Sequence, residues 1–276
     1  MAQPPRVLVF DSGLGGLTVF VEVARAWPDA RFTYVADDAG FPYGRLSEAA
    51  LVARVLDVMG VLVARHAPDV VVIACNTAST LVMGPLRAGF PDVAFVGTVP
   101  AIKPAAAASH SKMFSVLATP GTVARDYTRE LVREYAGHCA VTLVGAVALA
   151  GLAERFMQGG AVPDSEVLAE IMPCFVAGGA GRTDTVVLAC THYPLLLERF
   201  KALAPWPVAW IDPAPAIARR AAHVLGEVLG FAAGGVGDGQ AGQAFFTSGV
   251  LPGQALKMAL RLRGLEALHS AQIPLG

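Results

Sequence analysis

Val71-Val72-Ile73-Ala74-Cys75-Asn76-Thr77-Ala78-Ser79 and Val186-Val187-Leu188-Ala189-Cys190-Thr191-His192-Tyr193-Pro194 are two versions of one pattern. In each, a run of β-branched and aliphatic residues stops at a cysteine and gives way to small hydroxyl and amide residues. A continuous apolar run of this length reads as a strand buried on both faces, as in a parallel sheet. Ligands of such sheets sit beyond the carboxyl ends of the strands. Each cysteine is therefore expected at a strand end, pointing into a crevice. One thiol from each half could hold a substrate carbon between two acid/base groups.

Outward from these segments the chain alternates strand and helix. Strands are expected at 6–10, 31–36, 69–74 and 93–97, with helices at 17–26, 47–65 and 78–88. Pro100-Ala101-Ile102-Lys103-Pro104 marks a boundary. A second series follows, with strands at 112–118, 140–144, 185–189 and 206–211. Its helices are expected at 123–135, 165–177, 195–202 and 214–229, with a turn at 119–122. A loop is expected at 234–242, a last strand at 243–247 and a short basic helical tail at 254–268. This alternation predicts an α/β fold of two doubly wound domains with mainly parallel sheets, related by a pseudo-twofold, with the site in the cleft between them.

The composition narrows the class. The 276 residues are 54% hydrophobic and 16% charged, with a formal net charge of -1. That balance and the lack of a basic run argue against a nucleic-acid partner. The uncharged stretch 139–153 is too short to suggest a membrane span, and the amino terminus runs straight into a strand rather than a secretory signal. A cytoplasmic chain is expected. The four cysteines, Cys75, Cys139, Cys174 and Cys190, form no Cys-x-x-Cys pair, so neither structural zinc nor a disulfide framework is expected. The lysines, Lys103, Lys112, Lys201 and Lys257, do not sit where an imine cofactor would need one.

Each motif also has a plain structural reading. A cysteine after a buried strand is most often a core residue, and that reading suffices for Cys139 and Cys174. Cys75 and Cys190 are followed by hydroxyl, amide and imidazole groups that can bind a carboxylate, as can the amides opening the next helix. Asp11-Ser12-Gly13-Leu14-Gly15-Gly16 lacks the ending of a P-loop and the spacing of a dinucleotide fingerprint. It reads as a tight strand-to-helix turn whose informative residues are Asp11 and Ser12. His192 is expected to assist protonation near Cys190. Thiol and thiolate on opposite sides of a carbon can remove a proton from one face and return one to the other.

Four segments in order carry a resemblance that spans nearly the whole chain. They are 10–16, then Tyr34-Val35-Ala36-Asp37 with Pro42-Tyr43-Gly44, then 74–79, then 189–194. Together they resemble the cofactor-independent aspartate/glutamate racemase superfamily and, within it, the glutamate racemases. The resemblance implies interconversion of L- and D-glutamate without pyridoxal phosphate, other cofactor or metal, with the D-isomer supplied to peptidoglycan. It implies that Cys75 acts on D-glutamate and Cys190 on L-glutamate. It places Asp11, Ser12, Tyr43, Gly44, Asn76, Thr77, Thr191 and His192 at the substrate, with Asp11, His192 and Glu154 assisting the chemistry. It also implies discontinuous domains, 1–98 with 210–276 and 99–209, and a homodimer. Gly40, where many relatives carry arginine, and a longer 97–104 segment depart from the family pattern. Three alternatives stay open: a racemase of another acidic amino acid such as aspartate, a Cys-His acyl-transfer enzyme, and a non-catalytic binding module on the same scaffold.

Overall fold

The computed structural model describes residues 3–179, 181–232 and 241–273. Most of the loop expected at 234–242 lies outside them. Among the described residues the strands are β1 (Arg6–Asp11), β2 (Arg31–Ala36), β3 (Val70–Ile73), β4 (Ala94–Gly97), β5 (Met113–Ala118) and β6 (Ala140–Gly145). They continue as β7 (Ala177–Gly178), β8 (Gly181–Arg182), β9 (Thr185–Ala189), β10 (Ala209–Ile211), β11 (Gly242–Phe246) and β12 (Leu265–Ser270). The helices are α1 (Leu17–Ala26), α2 (Glu48–His66), α3 (Asn76–Gly89), α4 (Ile102–Ala108), α5 (Pro120–Ala124) and α6 (Asp126–Ala136). After these come α7 (Leu149–Met157), α8 (Asp164–Ile171), α9 (Leu197–Leu203), α10 (Ala214–His223) and α11 (Gln254–Arg261).

Two sheets organise the chain. The first runs β12-β11-β2-β1-β3-β4 and the second β10-β9-β5-β6, and every pairing within them is parallel. Read from β6, the second sheet has the order of β2-β1-β3-β4 in the first. On this equivalence β1 corresponds to β5 and β3 to β9. The two cysteine segments follow equivalent strands, each beside the point where strand order reverses and ligands collect. The repeated phrase in the sequence is thus a repeated position in the fold. The elements up to β4, with β11, α11 and β12, form the first half, and β5 to β10 the second.

The apolar runs are buried on both faces. Val7 and Val9 join one core, while Leu8 and Phe10 join another across the sheet. In the second sheet Val186 and Leu188 face one layer, and Val187 and Ala189 the other. Each such side chain taken fully from water contributes about 1.5–3 kcal/mol before chain entropy is counted. Among the described residues no helix is long and apolar enough to cross a membrane.

Several elements differ from the sequence reading. The tail expected as helix 254–268 is a helix only to Arg261. Gly264 then takes a positive φ of 82°, and β12 adds to the sheet edge beside β11, so 243–247 is not the last strand. Of the turn expected at 119–122, Thr119 is the cap of α5, its hydroxyl accepting from Thr122 N–H. Extended backbone at Arg125 separates α5 from α6, which divides the helix expected at 123–135. The expected helix 165–177 ends at Ile171, where Pro173 allows only a 3-10 turn. Strand 206–211 begins at Ala209 because Pro207 precedes it. Helices α4 and α7 lay in stretches with no helix expected.

Candidate active site

The sheet ends of the two halves converge on a small cavity lined by both Cys75 and Cys190. Ser12, Tyr43, Gly44, Asn76, Thr77, Thr191 and His192 share that lining, as the sequence reading expects of the substrate site. Asp11 and Glu154 do not line it. They stand one layer back, hydrogen-bonded to Thr191 and His192, which do.

Cys75 occupies the cap position of α3 but makes no side-chain cap bond, so its sulfur is left over the helix start. Ser12 Oγ lies 3.7 Å from Cys75 Sγ. Burial, then the charge of Asp11, pushes the Cys75 thiol up to about 12, against the opposing pull of the Ala78 backbone amide. The thiol form is therefore the stable one in the cavity. Asp11, fully buried at the end of β1, accepts hydrogen bonds from Ser12 Oγ at 3.1 Å and Gly13 N–H at 3.2 Å. Thr191 Oγ1 of the other half donates to it at 2.8 Å.

On the opposite side Cys190 Sγ lies 3.9 Å from His192 Nδ1. His192 Nε2 is 2.8 Å from Glu154 Oε1, and the same oxygen accepts from Leu14 N–H at 2.5 Å. Burial works against a charged His192. Hydrogen bonds to Cys190 and Glu154 and the charge of Asp11 outweigh it and hold the imidazole pKa well above the ordinary value. A cationic imidazolium stands beside the Cys190 sulfur. The two sulfurs thus meet different surroundings, burial and a carboxylate on one side and an imidazolium on the other.

The glycines of 11–16 have a reason unrelated to phosphate. A Cβ on Gly15 would lie 2.6 Å from the His192 backbone nitrogen, and one on Gly13 would collide with Glu154 Oε1. The turn is bare because the other half packs directly against it. Gly40 is explained in the same way. A Cβ there would collide with Arg54 Nε and lie 2.8 Å from Tyr43 Cε1. Arg54 makes a bidentate pair with Asp37 at 2.7 and 2.6 Å, and the Tyr43 hydroxyl donates to the same carboxylate. This fixes Tyr43 in the cavity wall.

Sequence reading missed Asp37 and Arg54 as supports of Tyr43, and Thr119 as a lining residue. Thr119 had a signal, because it follows β5, the equivalent of the strand that delivers Asp11 and Ser12. Asn76 is buried, and its Nδ2 has no hydrogen-bond partner, an unsatisfied donor in the cavity lining. Its Oδ1 accepts from Thr98 Oγ1 at 3.4 Å. Among the described residues no cluster of His, Cys, Asp and Glu is arranged to hold a metal ion.

The profile of the Asp/Glu/Hydantoin racemase family matches residues 12–221. The chain belongs to this family. Within it, the chain is 56% identical over 219 residues to the glutamate racemase of Brucella ovis, covering 79% of each chain. It is 58% identical over 219 residues to that of Agrobacterium fabrum, covering 79% of this chain and 80% of the relative. The crystal structure of Escherichia coli glutamate racemase with L-glutamate and the activator UDP-MurNAc-ala superposes with a TM-score of 0.88 at 37% identity. That match covers 98% of this chain and 99% of the other.

Proposed function

We propose that the protein interconverts L- and D-glutamate by two-base proton transfer between Cys190 and Cys75. The observation that carries this reading is the pair of thiols, from equivalent strand ends, lining one cavity. With L-glutamate bound, Cys190 as thiolate removes the α-proton, and the Cys75 thiol delivers a proton to the opposite face. The resting states suit this direction, since Cys75 is held as a thiol and Cys190 sits beside imidazolium. The reverse reaction exchanges the roles. Each turnover moves one proton onto one sulfur and one off the other, and exchange with solvent resets the pair. Asn76 Nδ2, the Thr77 hydroxyl and the amides opening α3 are the donors for substrate carboxylates and for the charge that develops at the α-carbon.

By the same reading the enzyme is cytoplasmic, supplies D-glutamate for peptidoglycan and forms a homodimer, to be checked by sedimentation at several concentrations. The two sheets support two domains, a discontinuous one of 1–98 with 210–276 and a second of 99–209. Because β10 pairs within the second sheet, we set the return crossing after Ile211.

Cys190, His192 and Glu154 also form a chain like that of a Cys-His acyl-transfer enzyme. That reading needs one thiol, whereas the racemase needs two. Incubation with L-glutamate in heavy water, with chiral separation and a mass measurement of each isomer, separates them. The expected product is D-glutamate carrying one deuterium at the α-carbon. C75S and C190S should each lose racemisation by about a hundredfold or more. With folded protein, absence of both the D-isomer and α-exchange would rule out glutamate, and aspartate would be the next substrate to test.

A further inference from the structure

The cavity lacks one thing that a dicarboxylate would ordinarily be given. Among the described residues its lining contains no lysine or arginine, and His192, beside Cys190, is its one cationic side chain. One candidate belongs to an element that adjoins this lining. Arg125 follows α5, the short helix capped by Thr119 of the cavity wall. Its side chain is only 10% exposed, yet its ion-pair partner Glu48, at the start of α2, is 70% exposed. The pair is made by one nitrogen, Nη1, to Glu48 Oε1 at 2.5 Å. Arg125 Nε is buried and has no partner. A buried guanidinium donor left unused calls for an explanation. Burial lowers the proton affinity of Arg125, while the charge of Glu48 raises it.

The two halves meet here through small contacts. A Cβ on Gly121 would lie 3.9 Å from Gly44 Cα, so the backbones approach closely at a pair of glycines. Thr77 Oγ1 lies 3.1 Å from Thr119 Oγ1 and 3.4 Å from Thr122 Oγ1. Glu48–Arg125 is the outermost link, and one partner is open to water and competing ions. The contact on the other side, where Asp11 meets Thr191 and the glycine turn meets His192, is buried. The exposed edge is the one that can part to admit a ligand.

We propose that Arg125 is a positioning residue that captures the incoming dicarboxylate as the halves part at this edge, exchanging Glu48 for a substrate carboxylate and returning to Glu48 when the cavity closes. This rests on the reading of the substrate as glutamate. In the parted state Nη1 is released from Glu48, and the guanidinium can turn its Nε–H and Nη2 edge, the side-on fork that a carboxylate accepts, toward the substrate. On closure the carboxylate passes to the neutral donors of the lining, and Glu48–Arg125 fastens the edge. Capture by a cation acts on substrate binding and fades with salt.

The test compares racemisation rates of wild type, R125Q, R125K and E48Q over a range of ionic strength, with α-hydrogen exchange followed in heavy water. R125Q should raise KM by about tenfold or more while leaving kcat within about threefold of wild type. It should also remove most of the salt dependence of kcat/KM. R125K should restore part of both effects, and E48Q should keep the salt dependence because the cation remains. If R125Q does not fold, the double variant R125M/E48M removes the pair without leaving an unpaired charge, and the same outcomes apply. Wild-type KM and salt dependence in R125Q would overturn the proposal. So would equal losses of kcat in R125Q and E48Q with unchanged salt dependence, the result of a purely structural fastening. A wild-type enzyme that neither racemises nor exchanges glutamate would instead refute the functional reading on which the proposal rests.

Discussion

Glu154 uses one oxygen for two tasks. Oε1 accepts the Leu14 amide of the first half and pairs with His192 of the second, so one carboxylate ties the glycine turn to the imidazole beside Cys190. Removing its charge while keeping its shape tests the electrostatic task alone. In E154Q the imidazolium loses a stabilising partner, and its pKa falls toward the ordinary histidine value. The alkaline limb of the L-to-D rate should therefore move to lower pH, with kcat reduced about tenfold and the fold unchanged. An unmoved limb would leave the His192 charge resting on Asp11 and Cys190 alone. Cys75 faces the opposite situation. Its neighbours Asp11 and Ser12 come from the strand beside its own, and burial keeps its proton in place.

At the scale of elements, the connection from β1 to α1 shows why glycine occurs where it does. Gly15 admits the backbone of His192, and a methyl group there meets backbone nitrogen rather than a side chain that can swing away. Gly84, inside α3, has nothing within 4 Å of an added Cβ. G15A should lose about 1–3 kcal/mol of stability from overpacking and lose racemisation by displacing His192. G84A should stay within about 1 kcal/mol of wild type, because the helix propensity it gains is opposed by the clash of a Cβ in helical conformation with the ring of Pro85. Urea midpoints of the two variants give the comparison, and equal midpoints would show that the turn yields easily. The same packing explains Gly40, which leaves room for Arg54 to reach Asp37 and hold Tyr43.

Over the whole molecule, burial at the cavity and in the second core sets a stability profile. Burial pushes Cys75 and Cys174 from 9.0 up to about 12. Between those pH values the folded chain keeps protons that the unfolded chain releases, so stability is present in full below pH 9 and falls as pH rises toward 12. Buried Tyr34, Tyr43 and Tyr193, raised first by burial, act with the same sign. Urea midpoints measured from pH 8 upward should decline, and more gently in C75S because one of these protons is gone (~pH 8 being below both unfolded values). An identical slope in C75S would place the Cys75 thiol near its ordinary value in the folded state.

The amino-acid sequence determined the alternation of strand and helix, the burial of the strands on both faces and the placement of Cys75 and Cys190 at strand ends. These follow from local periodicity and from the rule that parallel strands present their carboxyl ends to a ligand, both of which are written along the chain. The strand at 265–270 was not legible, because an edge strand with an alternating, half-exposed pattern resembles a short amphipathic helix until a neighbouring strand pairs with it. Thr119 was legible only through the equivalence of β1 and β5. The Glu154–His192 contact, the Arg54–Asp37–Tyr43 support and the Glu48–Arg125 link were decided by tertiary structure alone. Each joins residues set apart in the chain, 77 positions in the last case, and their meeting depends on how two sheets and their loops pack rather than on any pattern within either segment.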